Sequence, residues 1–356
     1  MKKCLFLFFI FLKISCLYSQ QINIPVGQFN DSLRGNNTLR VCFYNVENLF
    51  DTEKDSIKND GAFTPSGSYR YTYTRFKKKA EDLGKVIVAM GGWEAPEIIG
   101  ICEVENANAI ERLIFHSALN KYKYKYIHYE SEDFRGIDVA LLYRPDKFSV
   151  LYSQAIQIID TTNKSFKTRD ILYVKGISPS CQHDTLHLFV NHWPSRYGGY
   201  ARSIHKRNLA ASILRYHIDS IQAINKYAAI LVMGDFNDYP YNESIIKYLK
   251  ASTDINNLTD EQLINTIFPY VSKNNIGSHK YKEHWGLLDQ IMVSQSMVKE
   301  TKGWKIKTSA VIFDADFLLI PDERYMGEKP FRTYLGMKYQ GGYSDHLPIF
   351  IDIMCQ

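Results

Sequence analysis

Nine short runs rich in β-branched and aromatic residues lie between positions 39 and 353, and they limit the folds open to this chain. They are LRVCFYN (39–45), EIIGICE (97–103), YKYIHY (124–129), IDVALLY (137–143), ILYVKGI (171–177), LHLFVNH (186–192), AILVMGD (229–235), LDQIMVS (288–294) and LPIFIDI (347–353). Runs of this length and composition predict strands. Several are apolar at consecutive positions, so both faces of those strands need cover. Helical periodicity falls between them at 75–90, 106–118, 201–222 and 242–250, which predicts sheets covered by helices. Polar loops at 51–74, 251–285 and 314–343, rich in Tyr, Asn, Lys and Gly, interrupt this scaffold. Such loops carry substrate contacts.

Four runs end on a polar residue that a strand interior would not select: Asn45, Glu103, His192 and Asp235. Strand ends gather at one rim of a sheet, where ligands bind in α/β folds. Asp235 is followed by FND, and SDH precedes the last run. Carboxylate and amide oxygens without a thiol cluster suit a hard cation such as Mg²⁺ or Mn²⁺, with Ca²⁺ also compatible. A hard cation beside imidazoles paired with carboxylates points to phosphate-ester hydrolysis. No P-loop, nucleophile elbow or HExxH zinc motif competes with this reading.

The N-terminus MKKCLFLFFIFLKISCLYSQ has the layout of a secretory signal: two lysines, an apolar core from Cys4 to Leu12, then small and polar residues. Cleavage after Ser19 predicts an exported protein, periplasmic or extracellular. A lipoprotein signal through Cys16 is the weaker reading, because Lys13 stands where an apolar residue is expected. Loss of residues 1–19 removes three of the 43 basic residues and leaves 40 against 38 acidic ones, a charge near +2. A long-range basic footprint is therefore absent, and any polyanion must be held by local groups. No linker or repeat divides the rest, which reads as a linker at 20–37 and one catalytic domain at 38–356. Cys42 and Cys102 sit in apolar runs and read as buried thiols; Cys181 and Cys355 complete the mature set without metal spacing, and no disulfide is assigned.

The ordered set YNVENLFD, ICEVEN, RGIDVALLYR, VNHWPSRYGG, VMGDFND, LLDQIMVS and GGYSDHLPI resembles the endonuclease/exonuclease/phosphatase superfamily over residues 39–353. The resemblance implies an α/β (α+β) fold: a four-layer sandwich of two mainly antiparallel sheets packed face to face, helices outside, with the active site at one rim. It implies Glu103 as the principal metal carboxylate, with Asn45 beside it in the ligand shell or positioning phosphate. Asp235 would activate or hold the attacking water, and Asn237 would contact the scissile phosphate. Asp345 would complete the metal shell or orient a histidine, His346 would be the catalytic imidazole, and Asp289 would set its tautomer. His192 would bind phosphate or protonate the leaving oxygen, with Asp138 as its candidate partner.

Arg135, Arg169 and Arg196 are candidate phosphate ligands, Arg196 foremost because it follows His192 closely. His205, His217, His279 and His284 show no metal spacing and read as surface or structural. The tyrosines of 122–129 fit a half-exposed strand; those of 69–75 fit base stacking or structure equally well. Nucleic acid is the first expected substrate, cut by an endonuclease. A small or lipid-linked phosphoester, such as sphingomyelin or an inositol phosphate, is the alternative.

Overall fold

The computed structural model describes residues 22–356 except 260, 274 and 301, so the expected signal segment 1–19 lies outside the described residues. All nine expected strands are present. The first eight strands of the chain are β1 (Thr38–Leu49), β2 (Ile98–Val104), β3 (Lys125–His128), β4 (Asp138–Tyr143), β5 (Ser149–Ile156), β6 (Ile171–Ser178), β7 (Cys181–His192) and β8 (Ala229–Asp235). The principal helices are α1 (Tyr73–Gly91), α2 (Ala107–Phe115) and α3 (Tyr200–Ile224). The helix expected at 242–250 is a single turn, Ser244–Tyr248.

Two seven-stranded sheets form. One runs Trp304–Ile306, the C-terminal strand Ile349–Cys355, β1, β2, β4, β3, with Val311–Ile312 also on the C-terminal strand. The other runs β5, β6, β7, β8, Asp289–Val293, Leu263–Asn265, Ala251–Ser252. Pairing is mainly antiparallel, with β1 parallel to β2, β7 parallel to β8 and Leu263–Asn265 parallel to Ala251–Ser252.

Alternation of side chains across a strand explains the layers. In β7 and β8, Leu188, Val190, Leu231 and Met233 enter the main core with the first sheet, whereas Phe189, Ile230 and Val232 join a second cluster with Ala210, Ala211, Leu214 and Ile218 of α3. Those four α3 residues form one apolar stripe at helical spacing. On the first sheet, α1 buries Phe76, Ala80, Leu83 and Ile87, and Asn106 caps α2 by accepting from the Ala109 amide at 2.9 Å. Gly100 lets the sheets approach: a Cβ there would lie 3.0 Å from Met233 Sδ and 3.1 Å from Val190 Cγ1.

Residues 22–37 do not behave as the expected linker. Arg34 donates to the carbonyls of Gly91, Glu94 and Ala95 and pairs with buried Glu97 at 2.9 Å. Ile24 is buried, and Gly27 packs against Ser309. The segment is a strap on the domain, held by side chains and by backbone hydrogen bonds such as Ser309 N–H to the Pro25 carbonyl at 2.8 Å and Trp93 N–H to the Asp31 carbonyl at 3.2 Å, outside either sheet. Cys42 and Cys102 are buried free thiols as expected. Cys181 and Cys355 form a disulfide joining β7 of one sheet to the C-terminal strand of the other. Their pairing depends on sheet packing across 174 residues, which no sequence spacing reveals.

Candidate active site

Strand direction brings the site together. The ends of β1, β2, β7 and β8 supply Asn45, Glu103, His192 and Asp235; the strand Asp289–Val293 runs opposite to β8 and opens on Asp289, paired with Asp235. The C-terminal strand is antiparallel to β1, so the turn before it delivers Asp345 and His346 to the same rim. The backbone bends sharply there: Glu47, Asn48, Glu103 and Asn237 all have positive φ between 49° and 64°, and β1 and β2 shift register between Asn45 and Leu49. Left-handed non-glycine residues gathered in this way are strained backbone of the kind held at functional sites.

Asp235 is the centre of the group. Its Oδ2 accepts from Asn45 Nδ2 at 3.1 Å and lies 3.8 Å from His192 Nε2 and 3.9 Å from His346 Nε2. Its Oδ1 accepts from the Asn237 amide at 2.9 Å. Burial raises the Asp235 carboxyl to about 6, with His346 opposing the rise and Asp289 adding to it. Glu103 faces Asn45 Nδ2 at 3.5 Å and His192 Nε2 at 3.7 Å, and its other oxygen accepts from the Asn48 amide at 3.0 Å. Asn237 Nδ2 donates to the Trp193 carbonyl at 3.0 Å, which orients its amide group.

The two histidines are in opposite states. His346 Nδ1 lies 2.6 Å from Asp289 Oδ2, as the sequence predicted. Burial opposes its charge, but Asp289, Asp235 and Asp345 outweigh that and hold the imidazole charged, well above the ordinary histidine range. His192 is pulled well below that range by burial, with Arg169 and Arg135 adding to the effect. It is neutral at ordinary pH. The sequence paired His192 with Asp138; the structure corrects this. Asp138 faces His128 instead, Oδ2 to Nε2 at 3.4 Å, and His192 Nδ1 is buried without a partner. Asp138 opens β4 beside β3, and its carboxylate is directed at His128 of that neighbouring strand.

Asp345 reaches the rim but forms an ion pair with Arg332 at 2.8 Å. Three further side chains at this rim were missed. Glu47, two residues after Asn45, accepts from the Thr333 amide at 2.7 Å and faces Arg332 at 3.4 Å; burial and Asp345 raise it to about 7. An acid inside an apolar strand run was the available signal. Lys79, buried in α1 and lowered to about 8 chiefly by that burial, donates to the Tyr343 carbonyl at 3.1 Å. His279, expected to be surface or structural, bridges to His346 with ring centroids 4.7 Å apart, and burial lowers it to about 4. By contrast, His205 and His217 lie on α3 and His284 is exposed on a hairpin, as expected.

Of the arginines, Arg169 is buried, donating to Asp133 and to the Trp193 carbonyl that also orients Asn237. Arg196, the leading phosphate candidate, is corrected: it donates to the Asn237 carbonyl at 2.8 Å, to Asp238 at 2.9 Å and to Asn242 at 2.8 Å, with its guanidinium over the Tyr239 ring. Asp238 is completely buried, so Arg196 is committed to neutralising it. Arg135 is half-exposed, with Nε 3.4 Å from Asp133 Oδ1. Tyr71 is fully buried and Tyr69 stacks on Phe63, so the 69–75 segment is structural there.

The donors fit a hard divalent cation. Glu47, Glu103, Asp235, Asp289 and Asp345 stand against Lys79, Arg332 and His346. The upward shifts of Asp235 and Glu47 register burial and an anionic excess that a cation would offset. Glu103, with Asp345 and Glu47 nearby, would hold it through oxygen, whereas Asn45 turns Nδ2 toward Glu103 and its Oδ1 accepts from the Glu47 amide at 3.0 Å.

The chain matches the profile of the Endonuclease/Exonuclease/phosphatase family over residues 40–355. Among solved structures it is similar to the human Nocturnin catalytic domain with bound sulfate (17% identity, 90% of this chain and 95% of that one, TM-score 0.53). It is also similar to an endonuclease/exonuclease/phosphatase family protein from Bacteroides thetaiotaomicron (14%, 90% and 98%, 0.53). A third is the mannosyl-6-phosphatase of that bacterium (15%, 89% and 99%, 0.54). No curated protein sequence matches. The protein therefore belongs to the Endonuclease/Exonuclease/phosphatase family of phosphoester hydrolases.

Proposed function

We propose that the protein is an exported, divalent-metal-dependent phosphodiesterase that cuts nucleic acid as an endonuclease. One observation carries the substrate class. A cleft of about 580 Å³ adjoins the His192 loop and is lined by Arg135, Lys167, Arg169 and Lys206 together with Phe166 and Tyr197. Tyr197 is 94% exposed, and Lys206 lies over the Phe166 ring at 5.3 Å. Arg135 and Lys206 beside the exposed Tyr197 ring suit a strand whose phosphates are neutralised and whose bases stack. A larger cavity of about 700 Å³ lies beside Lys280, Trp285 and Met326. The apolar leader and the Cys181–Cys355 bond both support export.

In this reading Asp235 Oδ2, held by Asn45, takes the proton of the attacking water as the water oxygen bonds to phosphorus and the bond from phosphorus to the leaving oxygen breaks, the released alkoxide taking a proton from solvent. His346, fixed by Asp289, donates a hydrogen bond from Nε2 to a phosphoryl oxygen, and neutral His192 does the same from its own Nε2. A bound cation supplies charge neutralisation at the phosphoryl oxygens. The near-neutral mature charge favours a second reading, hydrolysis of a small or lipid-linked phosphoester, because such substrates need no extended basic track.

The test is an assay of residues 20–356 against plasmid DNA, RNA, sphingomyelin and inositol phosphates, with Mg²⁺ or Mn²⁺ and after EDTA. Cleavage of DNA or RNA, lost in chelator, is expected. Turnover of a small phosphoester with no nucleic-acid cleavage would overturn the substrate assignment, and full activity in metal-free chelator would overturn the mechanism.

A further inference from the structure

A second group of metal-type donors lies outside the catalytic set, where β3 turns toward β4. His128, Glu130 and Asp138 each offer one ligand atom, all within 4.8 Å of one another. The His128 and Asp138 side chains are 6% and 2% exposed, and their Nε2 and Oδ2 atoms face each other at 3.4 Å. Neither atom has a hydrogen-bond partner. Buried polar atoms without partners are rare enough that each calls for a cause, an unseen ion being one. Two facing atoms in this state have lone pairs free to converge on a third centre. Asp138 and Asp170 line a cavity of about 10 Å³ with Tyr129, Ala155 and Leu172, close to the space of one water-sized sphere.

The charges point the same way. Glu130 gathers with His128 and Asp138, and Asp170 lines the same small cavity as Asp138, so three carboxylates crowd one place. Lys58 is the nearby lysine acting on both Glu130 and Asp170, and its ammonium already donates to the carbonyls of Ser131 and Asp133.

We propose that His128, Glu130 and Asp138, with Asp170 beside them, form a second divalent-cation site, separate from the catalytic one. One imidazole among carboxylates and no thiolate selects an ion of the Mn²⁺ or Zn²⁺ type over Mg²⁺ or Ca²⁺, which prefer all-oxygen sites. Glu130 is exposed and leaves a path for entry. The site anchors a loop: Asp138 Oδ1 accepts from the Ser131 amide at 3.0 Å, Ser131 Oγ from the Asp133 amide at 3.3 Å, and Asp133 Oδ1 from the Arg135 amide at 2.9 Å. A cation on Asp138 Oδ2 would thereby fix the segment that presents Arg135 near His192.

The test counts bound Mn²⁺ by electron paramagnetic resonance in E103Q, whose catalytic site is weakened, and in E103Q/E130Q and E103Q/H128Q. One Mn²⁺ equivalent should remain in E103Q and bind at least about tenfold more weakly in both double variants, the scale seen when a ligand sphere is disturbed. Glu130 is exposed, so E130Q reports even if H128Q fails to fold; the E130Q single variant should retain turnover at saturating Mg²⁺. Equal Mn²⁺ binding by E103Q and E103Q/E130Q, or no equivalent in E103Q, would overturn the proposal.

Discussion

Removing the Cys181–Cys355 bond tests how the two sheets are held and separates stability from chemistry. The bond closes a loop of 174 residues in the unfolded chain. In the chain-entropy account, a loop of that length is worth about 5 kcal/mol at 25 °C. A mature chain of roughly 340 residues unfolds with an entropy of about 0.7 kcal/mol/K, so C181A/C355A should lower Tm by about 7 °C. Alanine is chosen because Cys181 is fully buried and a hydroxyl there would lack a partner. Cys181 begins β7 and His192 ends it, about 36 Å away at strand rise, so turnover at 25 °C should stay within about twofold, less than a tenth of a general acid or base contribution. Calorimetry of wild type and variant, with thiol titration of the denatured protein lacking residues 1–19, measures both. The wild type should show two free thiols, Cys42 and Cys102. Four free thiols, or a Tm loss under about 2 °C against the entropy expected for that loop, would refute the reasoning.

D289A and H346A should each lower kcat by about 10²–10⁴, and the double variant should be little worse than the poorer single, because Asp289 acts through His346; multiplicative losses would separate them. Asp235 and Glu47 have raised folded values, about 6 and about 7, so the folded metal-free protein binds more protons than the unfolded chain, and their contribution to stability is lost as pH rises from the ordinary carboxylate range through 7. The Tm gain on adding Mn²⁺ should thus be larger at pH 8 than at pH 5, and an equal gain in scanning fluorimetry would argue against metal binding among these acids. R196A should cost about 1.5–3 kcal/mol in urea unfolding, the scale of hydrogen bonds to a charged group, and no more, because Arg207 still pairs with Asp238 at 2.8 Å. It should leave the salt slope of DNA binding unchanged; a slope flatter by about one phosphate contact would return Arg196 to the substrate track.

What could be read along the chain was whatever depends on a residue and its neighbours. Alternating or continuous apolar runs marked the strands, and their polar ends marked Asn45, Glu103, His192 and Asp235, because a hydrogen-bonding side chain at a strand end is out of place in a core. Strand β5 escaped notice since most of SVLYSQAI is exposed or half-buried and carries little apolar signal. The 242–250 pattern is apolar enough for a helix but closes only one turn, where Ser244 donates to the buried Asp238 pair. Asp289 and His346 were legible as partners only through the family order of motifs, since 57 residues separate them.

Contacts between distant segments belonged to the tertiary structure alone. His279 meets His346 because a hairpin folds back over the last turn. Lys79, Glu47 and Arg332 meet because α1, β1 and the 314–343 loop converge beneath that turn. Asp138 faces His128 on the adjacent strand β3 rather than His192, a choice that the positions of the packed strands decide. Arg196 was diverted by Asp238, whose complete burial demands cations close by. In each case the side-chain type was visible in the sequence, but its role depends on distance, burial and the charges nearby, and these exist only once both sheets have packed.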